Sequence, residues 1–342
     1  MYSFRNDYSE GAHPSVLQAL IDTNLEQTIG YGMDPHCQTA AELIRSLCSA
    51  PDADVHFLVG GTQTNLLVIN ALLRSYEAVI AAHTGHVNVH ETGAIEATGH
   101  KVCTAFSPDG KLTPALVESV VNGHSSEHMV HPRMVYISNT TEIGTVYNKA
   151  ELAALYQCCK EHDLYLFLDG ARLASALTSP ECDLTLADLA ALTDVFTIGG
   201  TKNGILFGEA AVMTCPDCSD HFRWHMKQRG AMLAKGRLLG VQFKALLEND
   251  LYFENGRHSN ELAFRLRDGM MAQGYPFPVP SPSNQQFPVL PNTVVEKLQE
   301  MGYEFEIDHA EDTEHTCVRF VTSWATPESA VDTFLENLAT CK

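Results

Sequence analysis

The chain has 342 residues, 45% hydrophobic and 19% charged, ordinary globular values that allow one large core plus a smaller domain and indicate neither disorder nor a fibrous repeat. A formal net charge of −20 argues against nucleic acid or an anionic membrane as partner, because neutralising phosphates needs a basic face that this composition hardly supplies. No run of about 18 apolar residues occurs, the start MYSFRNDYSEGAHP lacks a basic flank followed by an apolar run, and ten cysteines without an export signal read as reduced thiols, so a soluble, cytoplasmic protein is expected.

Through the middle of the chain apolar runs alternate with helical patterns, as in βαβ units around a mostly parallel sheet. The first is VHFLVGGTQTNLLVINALL, which predicts a strand over 55–59, a turn through Gly60, Gly61, Thr62 and Gln63, and a helix over 64–75. Such a turn can bind phosphate, since N–H groups at a helix start point at an anion and the glycines permit close approach. It serves equally as routine capping. It is not a GxGxxG fingerprint, and it lacks a P-loop lysine.

A strand over 78–82 leads into HTGHVNVHETGAIEATGH, with four histidines and two glutamates. A metal site, a histidine-rich turn and an imidazole stacked on an aromatic cofactor are all open here, and the spacing does not rank His83, His86 and His90. Strands over 101–105 and 134–138 follow, with helices over 113–122 and 149–162, the latter carrying Cys158 and Cys159 as core fillers.

The next strand, over 164–168, ends in LDGAR and delivers Asp169 and Arg172 to a carboxyl edge, where open α/β sheets bind ligands. After a helix over 184–192, the run DVFTIGGTKNGILFG predicts a strand over 195–198 that ends at Lys202. A lysine held there beside glycine-rich backbone suits Schiff-base chemistry, partial burial lowering its basicity. Asp169 is the anion that a pyridinium nitrogen needs, and the pair together is what pyridoxal phosphate chemistry uses.

The last strand of this series spans 210–214, before Cys215-Pro-Asp-Cys218 with His221 and His225. That spacing evokes a zinc or redox site, but a turn is the preferred reading because isolated CxxC matches are common. Helices over 237–249 and 256–273 precede the proline-rich YPFPVPSPSNQQFPVLP, read as a domain junction. A small α+β unit ends the chain, with helices over 293–301 and 327–338 and strands over 304–308 and 316–322. The expected division is a large α/β domain, 16–245, and a small domain made of 1–15 and 246–342.

Through IGYGMDP, GGTQTN, HVNVHETGAI, LDGAR, GGTKNG and VRFVT, the chain resembles the threonine aldolases of the β-eliminating-lyase group, over essentially its whole length. The resemblance implies a fold-type-I, aminotransferase-like α/β architecture with a seven-stranded, mostly parallel sheet. It implies pyridoxal 5′-phosphate as cofactor, an amino acid substrate, no metal, and a homodimer or homotetramer with shared active sites. Residue by residue, Lys202 would form the Schiff base and Asp169 would pair with the ring nitrogen. His86, five residues before Glu91, would stack on the ring, and Gly61, Thr62 and Gln63 would hold phosphate. Arg172 and Arg319 would grip the substrate carboxylate; without the resemblance, Arg319 reads as an exposed strand charge. Tyr31 lies in a loop that the family often contributes across a subunit interface, and Lys227 and Arg229 are lesser phosphate or interface candidates.

Two positions depart from the family pattern. Asn6 precedes Asp7 where many members have serine, and its amide can still donate to a carboxylate. Thr141 in ISNTTEIGT stands where the better-studied branch has a second active-site histidine, so the base for the substrate hydroxyl passes to His86, to water or to a histidine such as His131. The implied reaction is cleavage of threonine or allo-threonine to glycine and acetaldehyde, with a β-eliminating lyase, a phenylserine-type aldolase and a non-catalytic cofactor-binding protein as alternatives.

Overall fold

The computed structural model describes residues 2–341. Seven strands, β1 (Asp54–Leu58), β2 (Glu77–Ala82), β3 (Val102–Ala105), β4 (His131–Ser138), β5 (Tyr165–Asp169), β6 (Val195–Gly199) and β7 (Glu209–Met213), form one sheet in the order β1-β7-β6-β5-β4-β2-β3. These are the seven strands expected from the sequence, with ends shifted by at most three residues. β7 runs antiparallel to both β1 and β6, and the other pairs are parallel.

The strands are apolar on both faces because both faces are covered. Alternate residues serve different cores: Ile80, Val135, Ile137, Leu166 and Leu168 pack on one side, and Val79, Ala81, Met134, Tyr136 and Phe167 on the other. The covering helices are α1 (Pro14–Asp22), α2 (Pro35–Leu47), α3 (Gly61–Leu72), α4 (His86–Val89), α5 (Pro114–Gly123), α6 (Lys149–Glu161), α7 (Leu173–Leu177), α8 (Leu186–Leu192), α9 (Phe222–Gln228), α10 (Arg237–Leu247) and α11 (Leu251–Ala272). Their starts are set locally. Capping boxes of Asn148 with Glu151 and of Thr185 with Asp188 open α6 and α8, and Thr113 before Pro114 caps α5. α1 and α2 were not expected; α1 buries only Val16, and α2 buries Cys37, Ala40, Ala41 and Ile44.

The C-terminal unit holds β8 (Gln285–Gln286), β9 (Val289–Pro291), α12 (Asn292–Glu300), β10 (Glu306–Ala310), β11 (His315–Val321) and α13 (Glu328–Ala339), with β8, β9 and β10 each antiparallel to β11. The proline-rich passage is therefore more than a junction. It carries β8 and β9, and residues 281–290 are buried throughout. The N-terminal arm packs into this unit: Phe4 donates its N–H to Glu304 and accepts from Val321, and its ring meets Phe320 and Phe334. That anchorage carries Asp7 toward the carboxyl edge of the large sheet.

Cys215 and Cys218 are joined in a disulfide, with Cα atoms 5.4 Å apart, within the usual span for such a bond. The expectation of reduced thiols thus fails at this pair; the other eight cysteines are unpaired.

Candidate active site

A cavity of about 290 Å³ opens at the carboxyl ends of β1, β4, β5 and β6, the place where parallel sheets leave loops and helix N-termini facing a ligand. Six of the ten residues singled out from the sequence line it: Gly61, Thr62, His86, Asp169, Arg172 and Lys202. They come from separate stretches of the chain, each delivered by the turn that follows a strand.

Lys202 sits in the turn joining β6 to β7. Thr201 pins that turn by accepting the N–H of Gly208 through Oγ1 at 3.0 Å, and Asn203 donates through Nδ2 to the carbonyl of Gly199 at 2.6 Å. Burial, and next the charge of Arg172, push the Lys202 amine below its ordinary range, against the opposing pull of Asp7, Asp169 and Glu209. A lysine so placed is a better nucleophile near neutrality than one in water.

Asp169 ends β5 with both oxygens engaged. Oδ1 accepts the N–H of Ala171 at 2.9 Å, and Oδ2 accepts from the Tyr136 hydroxyl at 2.7 Å and from Asn65 Nδ2 at 3.0 Å. The next residue must be glycine, since a Cβ on Gly170 would run into the carbonyl of Thr197 on β6. The same Asn65 amide donates to Glu91 Oε1 at 2.7 Å, and His86 Nδ1 meets that oxygen at 2.8 Å. A single buried relay therefore runs from His86 through Glu91 and Asn65 to Asp169. With a carboxylate on Nδ1 the imidazole carries its proton there, which leaves Nε2 as its basic atom.

At the other end of the cavity, Gly60 and Gly61 lead into α3. A Cβ added to either glycine would meet nothing within 4 Å, so their backbone borders open space at the start of a twelve-residue helix. N–H groups there suit an anion. Gln63 does not line the cavity, and its Oε1 is buried without a partner.

Arg172 is already paired. Its Nε and Nη2 reach Asp7 Oδ2 and Oδ1 at 2.8 and 3.1 Å, and Asn284 Nδ2 donates to Oδ2 at 3.0 Å. Burial pushes the Asp7 carboxyl up, but the charges of Arg172 and Lys202 outweigh it and hold the group below the usual carboxylate range. Only Nη1 of Arg172 is without a protein partner. Arg319, on β11, does not line the cavity. It lies near Arg172 and Asp7, and burial followed by the Arg172 charge lowers its pKa, while its Nε is buried without a partner. It is not the exposed strand charge that its sequence alone suggested.

Asn6 and Tyr31 lie outside this cavity. Asn6 spends Oδ1 on the N–H of Tyr8 and the hydroxyl of Ser9, while its neighbour Asp7 pairs with Arg172. Tyr31 lines a separate cavity beside β1, with Lys227 Nζ 4.8 Å from its ring centroid; Arg229 donates to Asn70 of α3 at 3.3 Å.

Thr141 also faces away. Its hydroxyl is 2.7 Å from that of Thr145, and the neighbouring residues Ser138, Thr140 and Glu142 line the cavity instead. Glu142 Oε1 accepts the His86 N–H at 2.9 Å and the Ser138 hydroxyl at 2.7 Å, and burial raises its pKa. His131 opens β4 at the far end of the strand from Ser138, roughly 23 Å away at strand rise, and cannot act here. Of the other histidines of the loop, His90 stays beside His86, with ring centroids 5.5 Å apart, while His83 and His100 turn elsewhere. His83 Nδ1 accepts the N–H of Ser107, and His100 Nδ1 lies against the carbonyl of Glu77. Asn65, Glu142 and Glu209 were not singled out by sequence reasoning; the one signal for Asn65 was its place in the first turn of α3.

The beta-eliminating lyase family profile matches residues 4–292. The chain is 33% identical to the low specificity L-threonine aldolase of Pseudomonas aeruginosa, over 94% of this chain and 93% of that protein. It is similar to the solved structure of Leishmania major threonine aldolase, at 52% identity and a TM-score of 0.98, with 99% of each chain covered. An aspartate aminotransferase of Thermus thermophilus shares the fold at 17% identity and a TM-score of 0.72, over 99% of this chain and 96% of that one.

Proposed function

The chain belongs to the beta-eliminating lyase family, and from that premise we propose that it is a pyridoxal 5′-phosphate-dependent threonine aldolase, cleaving L-threonine, L-allo-threonine or related β-hydroxy-α-amino acids to glycine and an aldehyde. The observation that carries this reading is the convergence on one cavity of a half-buried lysine of lowered basicity, a carboxylate held by three donors, and a glycine turn opening a helix.

The residues fit the cofactor. The open space beside Gly60 and Gly61 would take a phosphate, Asp169 faces the same cavity as an acceptor for a ring nitrogen, and the buried, unpartnered Arg319 Nε is a donor that a substrate carboxylate would satisfy. Lys202 would hold the cofactor's carbonyl carbon, Asp169 its ring nitrogen, His86 its ring face, and Gly61, Thr62 and Gln63 its phosphate. When bound, the cofactor supplies the sink for the electrons of the breaking Cα–Cβ bond.

The chain's own residues supply the rest. Arg319, through its free Nε, and Arg172, through Nη1, orient the substrate carboxylate and so aim the Cα–Cβ bond. His86 Nε2 takes the proton of the substrate hydroxyl, and Glu91 on Nδ1 stabilises the imidazolium that results. Tyr136 and Asn65 hold Asp169 in place throughout.

Assembly as a homodimer or homotetramer belongs to the proposal. Leu17, Ile21, Leu25, Ile29, Tyr31 and Met33 are exposed along the N-terminal stretch, an apolar surface suited to a second copy, which would bring Tyr31 to a neighbour's site. No helix among the described residues is long and apolar enough to cross a membrane. With eight cysteines free, the cytoplasm is the compartment we propose.

The test is product analysis with threonine, allo-threonine and phenylserine. Glycine and an equimolar aldehyde are expected. Release of a 2-oxo acid and ammonia would replace aldol cleavage with β-elimination, and no turnover of any substrate by cofactor-loaded protein would sink the proposal.

A further inference from the structure

Glu209 has no task in the reading above, yet it stands at the centre of the site. As the first residue of β7 it pairs with Leu58, the last of β1, and with Gly199, the last of β6. The chain beyond Leu58 is the glycine turn that opens α3, and the chain beyond Gly199 is the turn that bears Lys202. The carboxyl thus lies between the anion cradle and the lysine and lines the same cavity. It is 4% exposed. Oε1 accepts the Thr201 hydroxyl at 3.0 Å, and Oε2 is buried without a partner.

An unpartnered oxygen in a buried carboxyl calls for an explanation. Ionised, the group would be a buried anion with one oxygen unsatisfied, set beside a cradle that itself attracts anions. The charged and titratable groups that face it are Lys202 from its own turn, Asp169 from β5 and Tyr252 from α11; the cradle and β1 face it with Leu58, Gly60, Gly61 and Thr62, none of which titrates. Burial first, then Asp169, raise the carboxyl well above the usual carboxylate range, and Lys202 opposes them without prevailing. A neutral acid solves both problems, because its O–H is a donor and a phosphate oxygen is the acceptor that the protein does not provide.

We propose that Glu209 is kept as the neutral acid and that its Oε2–H donates a hydrogen bond to the phosphate group of the bound cofactor, completing a cradle otherwise made of backbone N–H groups and hydroxyls. The inference rests on the cofactor reading above. It makes Glu209 a binding residue whose proton must be present in the complex, so that affinity for a phosphate-bearing ligand falls once the free chain loses that proton.

The experiment titrates the cofactor-free full-length chain with 4-deoxypyridoxine 5′-phosphate, which has the phosphate but no aldehyde for Lys202, from about pH 7 to pH 10. Wild type is compared with Glu209→Gln, whose amide is a donor at every pH, and with Glu209→Ala. At pH 7 the glutamine variant should bind within about threefold of wild type, and the alanine variant about 10- to 100-fold more weakly. Above about pH 8 the affinity ratio of Glu209→Gln to wild type should rise by about tenfold per pH unit; taking the ratio cancels the titration of the ligand. A ratio that stays flat, or a glutamine variant as weak as alanine at pH 7, overturns the proposal. A second measurement is spectroscopic: at about pH 9, adding the ligand should bring up the infrared C=O stretch of a protonated carboxyl in wild type and not in Glu209→Gln, which sets Glu142 aside, and its absence from wild type means that Glu209 is bound as the anion. If wild type binds neither this ligand nor pyridoxal phosphate at any pH, the cofactor reading fails and takes the inference with it; binding with a flat ratio condemns Glu209 alone.

Discussion

Asp7→Asn tests whether the N-terminal arm is tied to the site by charge. The two side chains of the Asp7–Arg172 pair are 2% and 14% exposed, and Asp7 takes hydrogen bonds from Arg172 Nε and Nη2 and from Asn284 Nδ2. Asparagine offers one acceptor oxygen to three donors and turns an amide toward one of them, so Arg172 is left largely unpaired. Breaking a buried pair in this way costs about 3 to 5 kcal/mol. At about 2.1 cal/mol/K per residue, 342 residues give an unfolding entropy of roughly 0.7 kcal/mol/K, so the thermal midpoint should fall by about 4 to 7 °C.

The pH dependence gives the sharper test. Because Arg172 and Lys202 outweigh burial, the folded pKa of Asp7 lies below its unfolded value, which is about 3.9. A depressed carboxylate contributes its full stability above the unfolded pKa and loses it as the pH falls through the folded one. The gap between wild type and Asp7→Asn, followed by scanning calorimetry, should therefore hold constant from about pH 8 to pH 5 and close only below about pH 4. A gap that already closes between pH 7 and pH 5 would mean that burial wins and Asp7 titrates near neutrality. No gap at any pH would refute the charge tie itself.

Lys202→Ala should abolish the borohydride-stable attachment of cofactor to the chain, read by intact mass; a surviving adduct would move the attachment to another lysine. Arg319→Gln should raise KM for threonine by about 10- to 100-fold with kcat changed less, as expected for a lost charge-assisted contact, whereas a fall in kcat alone would take Arg319 off the carboxylate. Asn65→Leu leaves Glu91 and Asp169 without the donor they share, and should weaken cofactor binding by about tenfold or more and lower the thermal midpoint. If neither changes, the relay from His86 to Asp169 does not run through that amide.

The seven strands and the placing of Lys202 and Asp169 at one cavity were legible because each rests on a local signal. A strand buried on both faces reads as an unbroken apolar run, and glycines mark where it stops. Contacts between distant segments carry no such mark. Asp7 and Arg172 are 165 residues apart, and Asn65 looks like any polar residue of a helix until the fold sets it between Glu91 and Asp169. The buried strands β8 and β9 hide in a proline-rich stretch whose composition says loop.

Thr141 shows the same limit at the scale of one residue. Which side chain of a turn faces the cavity depends on backbone geometry, and here the buried Thr141 is held away from it by its bond to Thr145, while its own N–H binds the Thr145 carbonyl. The position inside the cavity falls to Glu142, whose Oε2 has no protein partner. A threonine at 141 in place of an imidazole therefore does not leave the cavity without proton acceptors. His86 Nε2 and the Glu142 carboxyl are the groups this chain presents on that side. Glu142 also fixes the backbone of His86 by accepting its N–H, so the residue that takes the inward position holds the histidine in place rather than substituting for it.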